Sequence, residues 1–221
     1  MFNLFKKPHI DESSEEQRAD LMRLPGEYSK GSLEGADCDE VLDAHGEFGR
    51  CITNPIPVNG PHGEIKYINR LRNKNGSRLI FHRIGSTETI DVYETVSVDA
   101  NTWDILYFDM YHPRRSTKTP KGYKFSRFNE LIDRLPVGLG STRGRDIDFP
   151  FGIGKLIELN YAVYDNVISS KRLAKICDGF VADRERFKRP EDHEQKLRVA
   201  VSLLFPTSYF GIKLPSFNPL S

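Results

Sequence analysis

Between Arg50 and Tyr111 the chain alternates apolar and polar residues with a period of two, and tight-turn residues break the alternation at short intervals. That pattern confines the middle of the chain to β-strands joined by short connections. Strands are expected at 64–72, 78–84, 90–98 and 103–111, where β-branched and aromatic residues concentrate, with a shorter one near 49–53. The connections "NKNG" at 73–76 and "DAN" at 99–101 carry Asn, Asp or Gly, which tolerate the positive φ of tight hairpins. Short connections make sequential strands neighbours, so the expected sheet is an antiparallel meander of four or five strands.

Beyond the sheet the periodicity changes to that of helices. In "SRFNELIDRLP" Phe128, Leu131, Ile132 and Leu135 repeat at helical spacing before Pro136. A second stripe runs through Leu173, Ile176, Cys177, Phe180 and Val181, which makes Cys177 a packed apolar side chain rather than a nucleophile. A third runs through Leu197, Ala200, Val201 and Leu204, opened by Pro190 and an acidic first turn. Strands grouped first and helices grouped later define an α+β fold. One domain over 1–221 is expected: an acidic arm at 1–48, the sheet with a basic loop at 49–124, and a helical part with an extended tail at 125–221.

Charge is informative only locally. Lys plus Arg number 32 against 31 for Asp plus Glu, so no global field points to nucleic acid or membrane. Residues 1–50 hold six basic and twelve acidic residues; a short helix is expected around 15–24, and "LPGEYSKGSLEGADCDE" reads as loop. The reverse charge collects in "YHPRRSTKTPKGYKFSR", where Arg114, Arg115, Lys118, Lys121, Lys124 and Arg127 occur with no acid between Asp109 and Glu130. Such a run can meet an acidic protein surface. It can hold phosphate or nucleic acid, with Tyr111 or Tyr123 stacking on bases. Its charges can also point at water or pair with the acidic arm.

The stretch "NPIPVNGPHGE" places Pro55, Pro57 and Pro61 where each fixes its own φ and restricts the residue before it. The segment is stiff before folding. It serves either as a corner anchored by Ile56 and Val58 or as a presented loop offering Pro57 and Asn59. Together with "LIFHRIGS" and "FDMYHPRRSTKTPKGY" it resembles uncharacterised bacterial proteins that carry an N-P-I-P-V-N-G-P segment ahead of an H-P-R element. The resemblance covers about residues 46–124. It implies a bacterial source and no particular activity, so no residue role is carried over from it.

Chemistry-bearing motifs are few. Cys38, Cys51 and Cys177 are scattered, odd in number and form no C-x-x-C, which fits a reducing cytoplasm and neither a disulfide framework nor a zinc site. His45-Gly46-Glu47 and His62-Gly63-Glu64 share the H-x-E pattern of zinc deaminases without their P-C-x-x-C, so no metal or cofactor is expected. His82 falls on an apolar strand face, and Asp109 and His112 lie at the end of the last strand, where a His oriented by a carboxylate can act as a general base. The glycines of "VGLGSTRGRD" follow a helix and match no nucleotide-binding fingerprint. The N-terminus lacks the apolar stretch of a secretory signal, and no run reaches the length of a membrane helix.

The leading expectation is therefore a non-catalytic cytoplasmic protein-binding protein, a toxin-neutralising immunity protein being its most concrete form. Arg114, Arg115, Lys118, Lys121, Tyr111, Pro57 and Asn59 would supply its contacts. The alternative is an enzyme or a phosphate or nucleic-acid binder using His82, Asp109, His112 and Arg114 as one pocket.

Overall fold

The computed structural model describes residues 14–22, 26–126, 149–150 and 184–204. Along the chain run α1 (Ser14–Met22), α2 (Gly26–Glu34), β1 (Ile56–Pro57), α3 (Gly60–Arg70), β2 (Leu71–Asn73), β3 (Leu79–Thr87), β4 (Ile90–Ser97), β5 (Trp103–Asp109), β6 (Tyr123–Phe125), a 3-10 turn at Arg184–Phe187 and α4 (Glu191–Leu204). The fold is α+β. Its main sheet has the order β1-β5-β4-β3, and β2 pairs with β6 in a separate two-stranded ladder.

Three of the expected strands form where the alternation is cleanest. β3 pairs antiparallel with β4, and β4 with β5. The turn between β4 and β5 is the expected tight one, with the left-handed φ of 58° taken by Ala100 rather than by Asn101. Asp99 holds it by accepting bonds from Ser97, Asn73 and Asn75. The fourth strand corrects the meander: β1 joins the far edge of β5 in parallel, so the sheet is mixed rather than purely antiparallel. The expected strand near 49–53 is only a turn closed by the Cys51–Asn54 bridge.

The largest correction is at 64–72, which is mostly the helix α3 followed by the three residues of β2. Ile65, Tyr67 and Leu71 fit an alternating strand, but Glu64, Tyr67, Ile68 and Leu71 equally fit a helix, and a window this short does not separate the two. Pro61 in the first turn favours the helix. Burial of Gly63, Glu64, Tyr67 and Ile68 on one side decides it. The "NKNG" turn forms as expected, with Asn73 Oδ1 accepting from the amides of Asn75 and Ser77, but it leads from β2 into a different sheet.

The stiff segment before α3 is a corner. Ile56 and Val58 are fully buried, Val58 N–H donates to the Asp109 carbonyl at 2.8 Å, and Gly60 takes a φ of 74° to turn into the helix. The two sheet faces are covered differently. On one, Tyr67 and Ile68 of α3 pack with Phe81, Tyr93, Leu106 and Phe108. On the other, Leu197, Ala200 and Val201 of α4 pack with Ile84, Val92, Ile105 and Tyr107, so the expected third stripe is the docking face of that helix.

The N-terminal arm also departs from expectation. The short helix expected at 15–24 is α1, but part of the segment read as loop is α2. Two glycines and two serines in nine residues give α2 weak intrinsic propensity, so tertiary contacts must hold it. Gly31 lies against the Tyr111 ring, where a Cβ would come within 2.8 Å of Cδ1, and Ser32 Oγ donates to the Met110 carbonyl at 3.0 Å. The expected helices at 126–136, beyond residue 126, and at 169–187, other than the turn at 184–187, the connector 137–146 and the tail 205–221 lie outside the described residues.

Candidate functional site

The arm passes from α2 into an irregular segment, residues 36–40, that lies along the loop leaving β5. Most of the interaction is polar. Asp39 receives three donors from the loop: Arg114 Nη1 at 2.6 Å, the Thr117 amide at 2.7 Å and the Thr117 hydroxyl at 2.8 Å. The Ser116 hydroxyl donates to the Asp39 carbonyl at 2.7 Å. Arg114 Nε reaches Asp37, and Lys118 Nζ reaches Glu40. These donors hold the Asp39 carboxyl below its ordinary range: burial opposes this, and the Thr117 amide, Arg114 and the Thr117 hydroxyl outweigh it.

Beneath these exposed pairs sits His112. Its Nδ1–H donates to the Ala36 carbonyl at 2.8 Å, and Nε2 lies 3.3 Å from Asp109 Oδ2, close enough for an ion pair although not aligned as a hydrogen bond. Burial opposes charging this ring, but Asp109 and then the Ala36 carbonyl outweigh it and raise its pKa above the ordinary value. Cys38 Sγ lies 3.7 Å from the same Nδ1. Thiol, imidazole and carboxylate thus stand in the order of a nucleophile, a base and an orienting acid. The chemistry is that of a clamp, because Nδ1 spends its proton on Ala36 and burial pushes the Cys38 thiol up.

The residues named from the sequence are placed differently from one another. Arg114 and Lys118 meet the acidic segment, and Lys121 is exposed, its carbonyl accepting from Arg50 Nη2 at 2.8 Å. Arg115, Pro57 and Asn59 are buried, so they support the corner instead of offering contacts. Arg115 Nη1 donates to Asn59 Oδ1 at 3.2 Å, its amide donates to Gln17 of α1, and Asn59 Nδ2 reaches the Gln17 carbonyl. Tyr111 is half-buried against α2. Of the alternative pocket, Asp109 and His112 lie together.

His82 does not join them. It faces Glu94 across the β3–β4 ladder, with Nε2 2.8 Å from Oε2. His193 and Arg189 reach the other carboxylate oxygen at 3.1 and 2.8 Å. Phe149 stacks on the His82 ring at 4.1 Å. Burial works against the Glu94 charge, yet His193, His82 and Arg189 together hold its carboxyl far below the usual range.

The two H-x-E triplets also stay apart in role. His45 and His62 are exposed, Glu47 pairs with Arg50, and Glu64 is fully buried beneath the sheet. Among the described residues no group of three or more His, Cys, Asp or Glu side chains is arranged to hold a metal, and Cys38 and Cys51 are free thiols. No described helix is long and apolar enough to cross a membrane.

Sequence reasoning did not single out Asp39, Thr117, Glu94, Arg189, His193 or the partner of Glu64. The signal for Glu94 was present, since a hairpin between β3 and β4 sets 82 opposite 94. Asp39 had only its sign of charge to mark it. No family model, curated protein or solved structure matches the chain.

Proposed function

We propose that the chain is a protein-binding protein that recognises an acidic surface of its partner through the loop at 112–118 and the neighbouring Lys121. The observation that supports this reading is the carboxylate cradle formed by Arg114 and Thr117, which holds Asp39 by one guanidinium, one amide and one hydroxyl. A rigid fork combined with a backbone amide reads a carboxylate by geometry as well as by charge. The stiff corner at 55–61 supports it from below, since Val58 and Ser116 bond across the two segments and limit the ordering cost of binding.

The most concrete form of this reading is a toxin-neutralising immunity protein in a bacterial cytoplasm. Such a protein acts by occupying another, which requires complementary charge and a preorganised surface and no reacting centre. The bacterial part rests on the resemblance of residues 46–124, and the cytoplasmic part on the scattered cysteines.

Affinity capture with the intact chain, compared with the Arg114→Ala/Lys118→Ala variant, tests the proposal. One stoichiometric protein held by the wild type and reduced at least about tenfold in the variant is expected. Equal recovery by both overturns it. Copurifying nucleotide in place of a protein supports a second reading, favoured by the meeting of Asp109 and His112 near Arg114, in which a phosphate takes the place of the Asp39 carboxylate.

A further inference from the structure

We infer that the loop at 112–118 is a receptor for an extended peptide of the pattern Asp-x-Asp-Glu, and that residues 36–40 are its resident occupant in the free chain. The inference rests on the reading of that loop as a recognition element and names the partner chemistry it selects.

The contacts divide into two kinds. His112 Nδ1–H and Ser116 Oγ–H donate to the carbonyls of Ala36 and Asp39, groups that any peptide carries. Arg114, Thr117 and Lys118 meet the carboxylates of Asp37, Asp39 and Glu40, which gives sequence selectivity at the first, third and fourth positions of the motif. The second position is Cys38, half-buried against His112, so a small side chain fits there.

Energetics make the occupant replaceable. Among the paired side chains Asp37 is 62% and Lys118 47% exposed. Ion pairs in such settings contribute roughly 0–1 kcal/mol each. A partner carrying the same carboxylates therefore exchanges with the resident segment at almost no net electrostatic cost. The resident segment is tethered, however, and a short tether supplies an effective concentration on the order of millimolar. The free chain is thus partly self-occupied, and removing the resident carboxylates exposes the receptor. Glu40 also accepts from Asn54 Nδ2 at 2.9 Å, which fixes the end of the segment to the corner. A variant that opens the site should leave Glu40 in place.

The test uses the full chain as wild type and as Asp37→Asn/Asp39→Asn. Fluorescence anisotropy follows a labelled synthetic peptide of residues 35–41 carrying Ser for Cys38, with a control peptide in which its acids are amides. The variant is expected to bind the acidic peptide at least about tenfold more tightly than the wild type, to ignore the control, and to lose binding when Arg114→Ala is added. Equal affinity for variant and wild type, or binding that survives Arg114→Ala, overturns the inference. If the double variant does not fold, Asp39→Asn alone is measured in the same way; if that also fails to fold, the segment is an integral part of the fold and the inference falls. The peptide result is independent of any cellular partner. Loss of partner capture in Arg114→Ala/Lys118→Ala together with no gain in Asp37→Asn/Asp39→Asn rejects the resident-occupant inference alone, whereas peptide binding without capture rejects the proposed cellular role alone.

Discussion

Tyr93 and Glu94 are neighbours on β4 that send their side chains to opposite faces of the sheet, and each is bonded to a buried ionisable group. Tyr93 donates its hydroxyl to Glu64 Oε2 at 2.8 Å, under α3. Glu94 receives His82, His193 and Arg189 at the N-terminal end of α4. One glutamate is driven towards its neutral form and the other is held charged, so the same sheet has two pH responses of opposite sign.

Burial, reinforced by the adjacent Asp91, raises the Glu64 pKa well above the usual range, and the Tyr93 hydrogen bond only partly offsets this. A carboxyl whose folded pKa exceeds its unfolded value contributes stability that is fully present below the unfolded pKa, about 4.3, and is lost as pH rises through the folded one. Glu64→Gln should therefore be as stable as the wild type or more stable at pH 7, and should lose that part of the pH slope. Urea unfolding between pH 5 and pH 8 measures it; a variant that is less stable at pH 7 and keeps the slope rejects the assignment.

For Glu94 the sign reverses. Its depressed pKa gives stability that is present above the unfolded value, about 4.3, and lost as pH falls through the folded one. Glu94→Ala leaves Arg189 and two imidazoles without their shared acceptor and should cost about 3–5 kcal/mol at pH 7. Denaturant midpoints for the wild type and variant give the difference directly, and a cost below about 1 kcal/mol would contradict the role assigned to the cluster.

The adjacent arginines of the loop should behave differently. The buried guanidinium of Arg115 donates to Asn59, while its bond to Gln17 comes from the main-chain amide that alanine would keep; Arg114 pairs near the surface. Arg115→Ala should destabilise the chain by about 1–3 kcal/mol through the buried Asn59 acceptor it leaves unmatched, and Arg114→Ala by about 1 kcal/mol or less. Thermal unfolding of the two variants, with 0.5 M salt weakening only the Arg114 contribution, distinguishes them. A larger loss for Arg114 would contradict the division of roles.

His112 should make the attachment of residues 36–40 depend on pH. Its raised pKa means that the stability it contributes is complete below the unfolded value of about 6.5 and is lost as pH rises through the folded one. The groups facing it are Asp109, the Ala36 carbonyl, Cys38 and Arg114. Amide exchange of residues 36–40, corrected for intrinsic rates, should be faster at pH 9 than at pH 6, and His112→Gln should remove the difference. Equal protection at both pH values in the wild type would reject the coupling.

At the β4–β5 turn, Asp99 accepts from Asn73, Asn75 and Ser97 and lets Ala100 adopt its left-handed φ. Asp99→Ala should cost about 1–2 kcal/mol by leaving those donors unmatched, whereas Ala100→Gly should be neutral or stabilising because glycine relieves the backbone conformation. Chemical denaturation of both variants checks the pair.

Some of this architecture was legible in local sequence. Trp103 to Asp109 reads as a short apolar run because one sheet face meets α3 and the other meets α4, so both sides of the strand are buried. Leu197, Ala200 and Val201 announced the docking stripe of α4, and three prolines announced a stiff segment without deciding between a corner and a presented loop. Residues 64–71 were not legible, because both periods fit them and the deciding fact is burial of Glu64 against Tyr93, far along the chain. The candidate site was half legible. Opposite charge on the arm and on the loop was evident from composition, but the exposure of that loop was not, and Arg115, Pro57 and Asn59 are buried.

The sequence by itself determined strand periodicity, the stiffness of residues 55–61, the turn residues and the sign of charge in each segment, since these arise from steric and solvation effects that act within a few residues. Tertiary structure alone decided that Asp39 meets Arg114 and Thr117, that His82 belongs to Glu94 and not to Asp109, and that β1 enters the sheet in parallel. Those choices depend on which distant segments the folded path brings within hydrogen-bonding reach, and only the His82–Glu94 pair left a trace of its partner in local pattern, through the register of its hairpin.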